Sequence, residues 1–167
     1  MDVTKAIHGR RSIRRYQNRE IPKDVIEELL DAARLAPSSM NRQRWSIVVV
    51  TDEETKRRLV PVCGNQKFVG GCSAFLAGVA EPDAYYSTVD MTIALDHLSL
   101  RAVELDLGTC WIGDFEPDKV KQILNIPKER EVPICMTVGY PASDPAARKR
   151  KRLSEMFRAD FWEQAWE

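Results

Sequence analysis

The sequence has no apolar run near the roughly 18 residues of a membrane span, and its first fifteen residues lack a secretory signal's apolar segment. The expected compartment is the cytoplasm. Histidine is scarce, with only His8 and His97, and neither stands near a candidate nucleophile. That argues against a Ser-His or Cys-His hydrolase. Cys63, Cys72, Cys110 and Cys135 form no CxxC pair and have no histidine at ligand spacing. They read as reduced, mostly buried thiols rather than a metal or disulfide framework. No GxGxxG or GxxxxGK[ST] follows an expected strand, and GxSxG and HExxH are missing. A Rossmann dinucleotide site, a P-loop, a serine-hydrolase elbow and a zinc protease are therefore not indicated. A chain without acid–base equipment of its own needs its chemistry supplied by a cofactor.

What is present is an ordinary globular composition: 167 residues, 44% hydrophobic, with 25 Lys plus Arg against 25 Asp plus Glu. The zero net charge hides an uneven layout. Arg10, Arg11, Arg14 and Arg15 crowd one end, and Arg148, Lys149, Arg150, Lys151 and Arg152 the other. Without the second cluster the remainder carries net minus five, 20 basic against 25 acidic residues. No broad nucleic-acid-binding face is implied. Val25, Ile26, Leu29, Leu30, Ala33 and Leu35 recur at helical spacing after Pro22, and the pattern stops before Pro37. Residues 45–51, WSIVVVT, read as a buried strand, and Asp52 as the cap of the next helix. Residues 72–80, 109–112 and 132–140 are further strand candidates, and 117–124 a further helix. Residues 85–107 form the longest helical signal, apolar on more than one face and expected to end at Gly108. Helices and strands alternate without repeat or linker, giving one compact α/β domain over 1–167. The multiply apolar helix, with Trp162 and Trp166 in the tail, asks for cover from a partner subunit.

Four constellations could carry chemistry, one of them the basic run at 148–152, which a solvated tail or a nucleic-acid contact also explains. Arg10, Arg11, Ser12 and Arg14 set a hydroxyl among guanidiniums, a donor set that matches phosphate; taken alone, a solvated basic stretch is the simpler explanation. The loop at 36–43, with Ser38, Ser39, Asn41 and Gln43, offers uncharged donors and acceptors suited to the edge of a heterocycle. Turn chemistry accounts for Pro37 and Ser38 as well. In residues 107–114, Gly113 permits close backbone approach to a ligand, or the segment is a turn with Trp111 in the core.

Taken together and in order, RRSIRRY (10–16), APSSMNRQRW (36–45), GNQKFV (64–69), LGTCWIGDF (107–115), VGYP (138–141) and DPAARKRKRLSE (144–155) resemble the FMN-dependent nitroreductase family. The resemblance covers nearly the whole chain. It implies an α+β fold, a mixed β-sheet flanked by helices, in an intertwined homodimer with FMN at the interface. By the same resemblance, the phosphate lies between Arg10, Arg11 and Ser12 and the later pair Arg148 and Arg150. Arg14 stands near the flavin N1 and O2, where charge accumulates on reduction. Gln66 matches the residue at the ribityl or ring edge, and Ser38, Ser39 and Asn41 the loop from the other subunit. Ile112 and Gly113 match the segment beside the ring. Arg44 and Arg152 stand where the family often has Pro.

The resemblance further implies hydride transfer from NADH or NADPH through FMN to an electrophilic acceptor such as a nitroaromatic or quinone, by a ping-pong scheme. No catalytic side chain and no metal are required. Reductive dehalogenation, flavin fragmentation and substrate oxidation are other branches of the same family. A small nucleic-acid binder using the arginine clusters is the remaining alternative, though neither nucleic acid nor membrane is the expected partner.

Overall fold

In the computed structural model, which describes residues 2–167, each expected apolar run contains a strand: β1 (Trp45–Val50), β2 (Ala74–Ala80), β3 (Gly108–Ile112) and β4 (Glu131–Gly139). The helices are α1 (Val3–Gly9), α2 (Lys23–Arg34), α3 (Glu53–Val62), α4 (Phe68–Gly71), α5 (Ser87–Glu104), α6 (Pro117–Ile123) and α7 (Leu153–Met156). The strands pair antiparallel throughout, in the order β1-β2-β4-β3. The alternation of helix and strand thus builds an α+β sheet, not the α/β arrangement that alternation suggests. Val50 at the end of β1 pairs with Phe75 near the start of β2, so α3 and α4 leave and return at one end of the sheet. Among the described residues, the parallel component is one isolated bridge, Ser12 with Thr109 on β3.

β2 is buried at all seven positions, and its side chains feed two cores. Leu76 joins Leu29 and Ala33 of α2 and Met91, Leu95 and Leu98 of α5 on one face. Phe75 and Ala77 join Leu59 of α3, Val69 of α4 and Val120 of α6 on the other. A strand covered on both faces reads as a continuous apolar run, as the sequence shows. Asp52 caps α3 as expected, accepting the Thr55 N–H at 2.7 Å. The end of α5 is a correction. The helix stops at Glu104, Asp106 takes a left-handed φ of 57°, and the Leu107 N–H returns to the Ala102 carbonyl at 2.8 Å. Gly108 is already strand. Its missing side chain makes room for Ile13, with which a β-carbon there would collide.

That close approach seats the N-terminal segment. The Ile13 N–H donates to the Thr109 carbonyl at 2.9 Å, the Gln17 N–H to Tyr140 and the Ala142 N–H to Arg15, both at 2.9 Å. The Tyr16 hydroxyl sits 2.8 Å from the Thr137 Oγ1. Residues 12–17 therefore run between the outer edge of β3 and the stretch that follows β4. The chain after Pro141 then turns back past the N-terminal segment.

Candidate functional site

This threading brings the two distant arginine clusters together. Arg10, Arg11, Ser12 and Arg14 share a cavity of about 790 Å³ with Arg148 and Arg150, and Ile7 and His8 at the end of α1 and residues 145–147 line the rest. Among the described residues, no carboxylate forms an ion pair with Arg10, Arg14, Arg148 or Arg150. Unpaired guanidiniums around one concavity repel one another and are held together by an anion. Arg11 differs from its neighbours. One of its terminal nitrogens donates to the His8 and Arg10 carbonyls at 2.7 and 2.9 Å, while its buried Nε–H has no acceptor. The donor set, forked cations with one hydroxyl and an orphaned N–H, fits a phosphate monoester such as the tail of FMN.

Ser12, through its bridge to Thr109, ties this cavity to β3, whose far end carries Ile112 and Gly113. Ile112 points into the core, whereas Gly113 is exposed, with only the tip of Ile134 at 4.0 Å from where a side chain would begin. Its backbone is open to a ligand. Gln66 lies across from it, its amide nitrogen donating to the Cys63 and Asp114 carbonyls at 3.0 and 3.2 Å. Those bonds leave the Gln66 Oε1 as the group available to a ligand.

Ser38, Ser39 and Asn41 do not join this group within one chain. Their loop leads into β1, the opposite edge strand from β3, three strand spacings or about 14 Å away across the sheet. The loop is tightly folded on itself. Met40, Asn41 and Gln43 adopt left-handed φ values of 52°, 54° and 51°. The Gln43 N–H donates to the Ser38 Oγ, and its side-chain amide to the Asn41 carbonyl and Oδ1, each at 3.2 Å. Arg44 lies 4.0 Å from Glu81, and Arg152 caps α7 with Glu155.

No free thiolate competes for the chemistry. Burial pushes Cys63 and Cys72 up to about 12, and raises Cys110 and Cys135 as well. Burial likewise raises the Tyr16 phenol above its ordinary value.

The model of the nitroreductase family matches residues 7–81 and 62–140, spanning the sheet and most of the elements around it. The chain belongs to the nitroreductase family. A Methanothermobacter thermautotrophicus relative, whose name joins NADH dehydrogenase and NAD(P)H nitroreductase, is 31% identical over 157 residues, covering 89% of this chain and 82% of that protein. The NADPH:FMN oxidoreductase of Vibrio harveyi, in a structure complexed with NAD+, is similar with a TM-score of 0.90 at 25% identity, over 97% of this chain and 78% of its own. An FMN-dependent nitroreductase from Clostridium difficile R20291 is similar with a TM-score of 0.86 at 26% identity, over 95% and 99%.

In this nitroreductase-family chain, the sequence reading missed His8 and the cavity wall at 145–147, which carry no charge pattern of their own. It also missed Ser87 and Asp90, buried polar residues one helical turn apart on α5. Their signal was legible: two polar residues on the face of an apolar helix that packs into the core.

Proposed function

We propose that residues 1–167 form a single FMN-binding domain that works as an NAD(P)H-dependent oxidoreductase. The carrying observation is the convergence of unpaired arginines from 10–14 and 148–150 on one cavity. When bound, FMN supplies hydride transfer between a reduced nicotinamide and an electrophilic acceptor such as a nitroaromatic or quinone. The protein's part is binding and electrostatics. Arg10, Arg148 and Arg150 would hold the phosphate, with Ser12 as neutral donor. Arg11 lends its Nε–H while its terminal nitrogen closes the end of α1. Arg14 would supply a fixed cation to the flavin ring, Gln66 its carbonyl oxygen, and Ile112 and Gly113 their backbone.

The assembly is a homodimer with the site shared between chains. Two features support this: the Ser38, Ser39 and Asn41 loop sits at the wrong edge of its own sheet, and Val89 of α5 and the aromatic side chains of the tail lack cover. Val89 is 51% exposed and Trp162 78%. The compartment this reading implies is the cytoplasm, where reduced nicotinamides are held, and four free thiols accord with it. Among the described residues, no helix is long and apolar enough to cross a membrane.

One pocket serving donor and acceptor in turn gives ping-pong kinetics. The test is the absorbance spectrum of the purified protein, bleached anaerobically with NADH and with NADPH, followed by double-reciprocal plots. A yellow protein bleached by one donor, with parallel lines, is expected. A colourless protein that takes up no FMN overturns the cofactor reading, and intersecting lines overturn the shared pocket.

A further inference from the structure

The loop at 38–44 is held at both ends by the first turn of α5. The Ser39 N–H donates to the Asp90 Oδ2 at 3.0 Å, and the Ser87 hydroxyl donates to the Arg44 carbonyl while accepting the Glu81 N–H at 2.8 Å. Both side chains are buried, Asp90 at 7% exposure. A buried carboxylate ordinarily finds a cation. Asp90 has no ion pair among the described residues; it stands in the first turn of an 18-residue helix, and its Oδ2 takes up the Ser39 N–H instead. Between the two anchor points lie three non-glycine residues in the left-handed region, a conformation that persists only where surrounding contacts over-determine it. The loop's own bonds, from Gln43 to Ser38 and Asn41, fix its shape but not its attachment to the body of the protein. The Asp90 bond supplies that attachment at the end nearest Ser38 and Asn41.

We propose that Asp90 is a positioning residue, holding the Ser39 amide so that the 38–43 loop is presented ready-made to the flavin of the other subunit. This rests on the reading that the loop completes an FMN site. Asp90 touches no cofactor itself. It acts by removing the ordering step that a free loop would otherwise undergo when flavin binds.

The experiment uses flavin-free full-length protein and two readouts: FMN affinity from fluorescence quenching, and hydrogen exchange at the Ser39 amide. Asp90→Ala is expected to weaken FMN binding about tenfold and to speed Ser39 exchange by at least the same factor. Asp90→Asn keeps an oxygen acceptor and is expected to stay within about threefold of the parent in both. If Asp90→Ala does not fold, Asp90→Ser takes its place, because its shorter side chain stops short of the amide. Unchanged FMN affinity in the truncated variant, or weakened affinity without faster Ser39 exchange, overturns the positioning role. Asn41→Ala separates the two ideas. If it also leaves FMN affinity untouched, the loop is not part of the site; if it alone weakens binding, the loop belongs there and Asp90 does not position it.

Discussion

Arg10 and Arg11 are neighbours in sequence with different surroundings, and their substitution is expected to tell them apart. Arg10 forms no ion pair among the described residues, so Arg10→Ala is expected to strip a charged contact from the phosphate and weaken FMN binding by about 1.5 to 3 kcal/mol, or ten- to a hundredfold, with folding stability little changed. Arg148→Ala has the same effect, and the double variant loses less than the sum because both side chains serve one anion. Arg11→Ala also frees the His8 and Arg10 carbonyls, so the thermal midpoint falls along with affinity. Equilibrium titration and thermal melts check both. The thiols give a second prediction. The unfolded chain ionises its cysteines near 9, while the fold holds Cys63 and Cys72 protonated to about 12. The unfolded state therefore sheds protons first, and stability falls as pH rises across that window. Urea unfolding at pH 8 and pH 10.5 measures it; equal midpoints contradict the burial of these groups. Residue types alone made the arginines and cysteines legible. They did not show that Gln66 spends its amide nitrogen on its own backbone, since that follows from a turn meeting the end of β3.

Elements were legible where local chemistry decides them. Pro22 and Pro37 bound α2, Asp52 caps α3, and the β-branched run at β1 excludes a helix. The end of α5 was misread because Gly108 looks like a helix stop, whereas its role is the packing of β3 against Ile13. Gly108→Ala tests that role. It is expected to cost about 1 to 3 kcal/mol of stability and, by displacing residues 10–14, to weaken FMN binding as well. A destabilised variant with full FMN affinity would separate strand packing from the arginine segment. The direction of the strands was not legible at all, because helix-strand alternation serves parallel and antiparallel sheets alike and only the return path of α3 and α4 distinguishes them.

At the scale of the whole molecule, the sequence shows two basic clusters more than 130 residues apart, and their meeting depends on three long-range backbone pairings that no local pattern encodes. The exposed Val89 of α5 and the exposed aromatic side chains of the tail lead to a further prediction. On dilution, flavin and subunits are expected to dissociate together, as followed by flavin fluorescence and sedimentation; a monomer that keeps its flavin contradicts a site shared by two chains. The central claim concerns the grip on the phosphate, and riboflavin differs from FMN by that group alone. Comparative titration of the flavin-free protein with FMN and riboflavin at low salt is expected to show FMN binding at least about a hundredfold tighter, with the gap narrowing as salt is added and nearly closing in Arg10→Ala/Arg148→Ala. Equal affinity for the two flavins would mean that the converging arginines do not hold the cofactor.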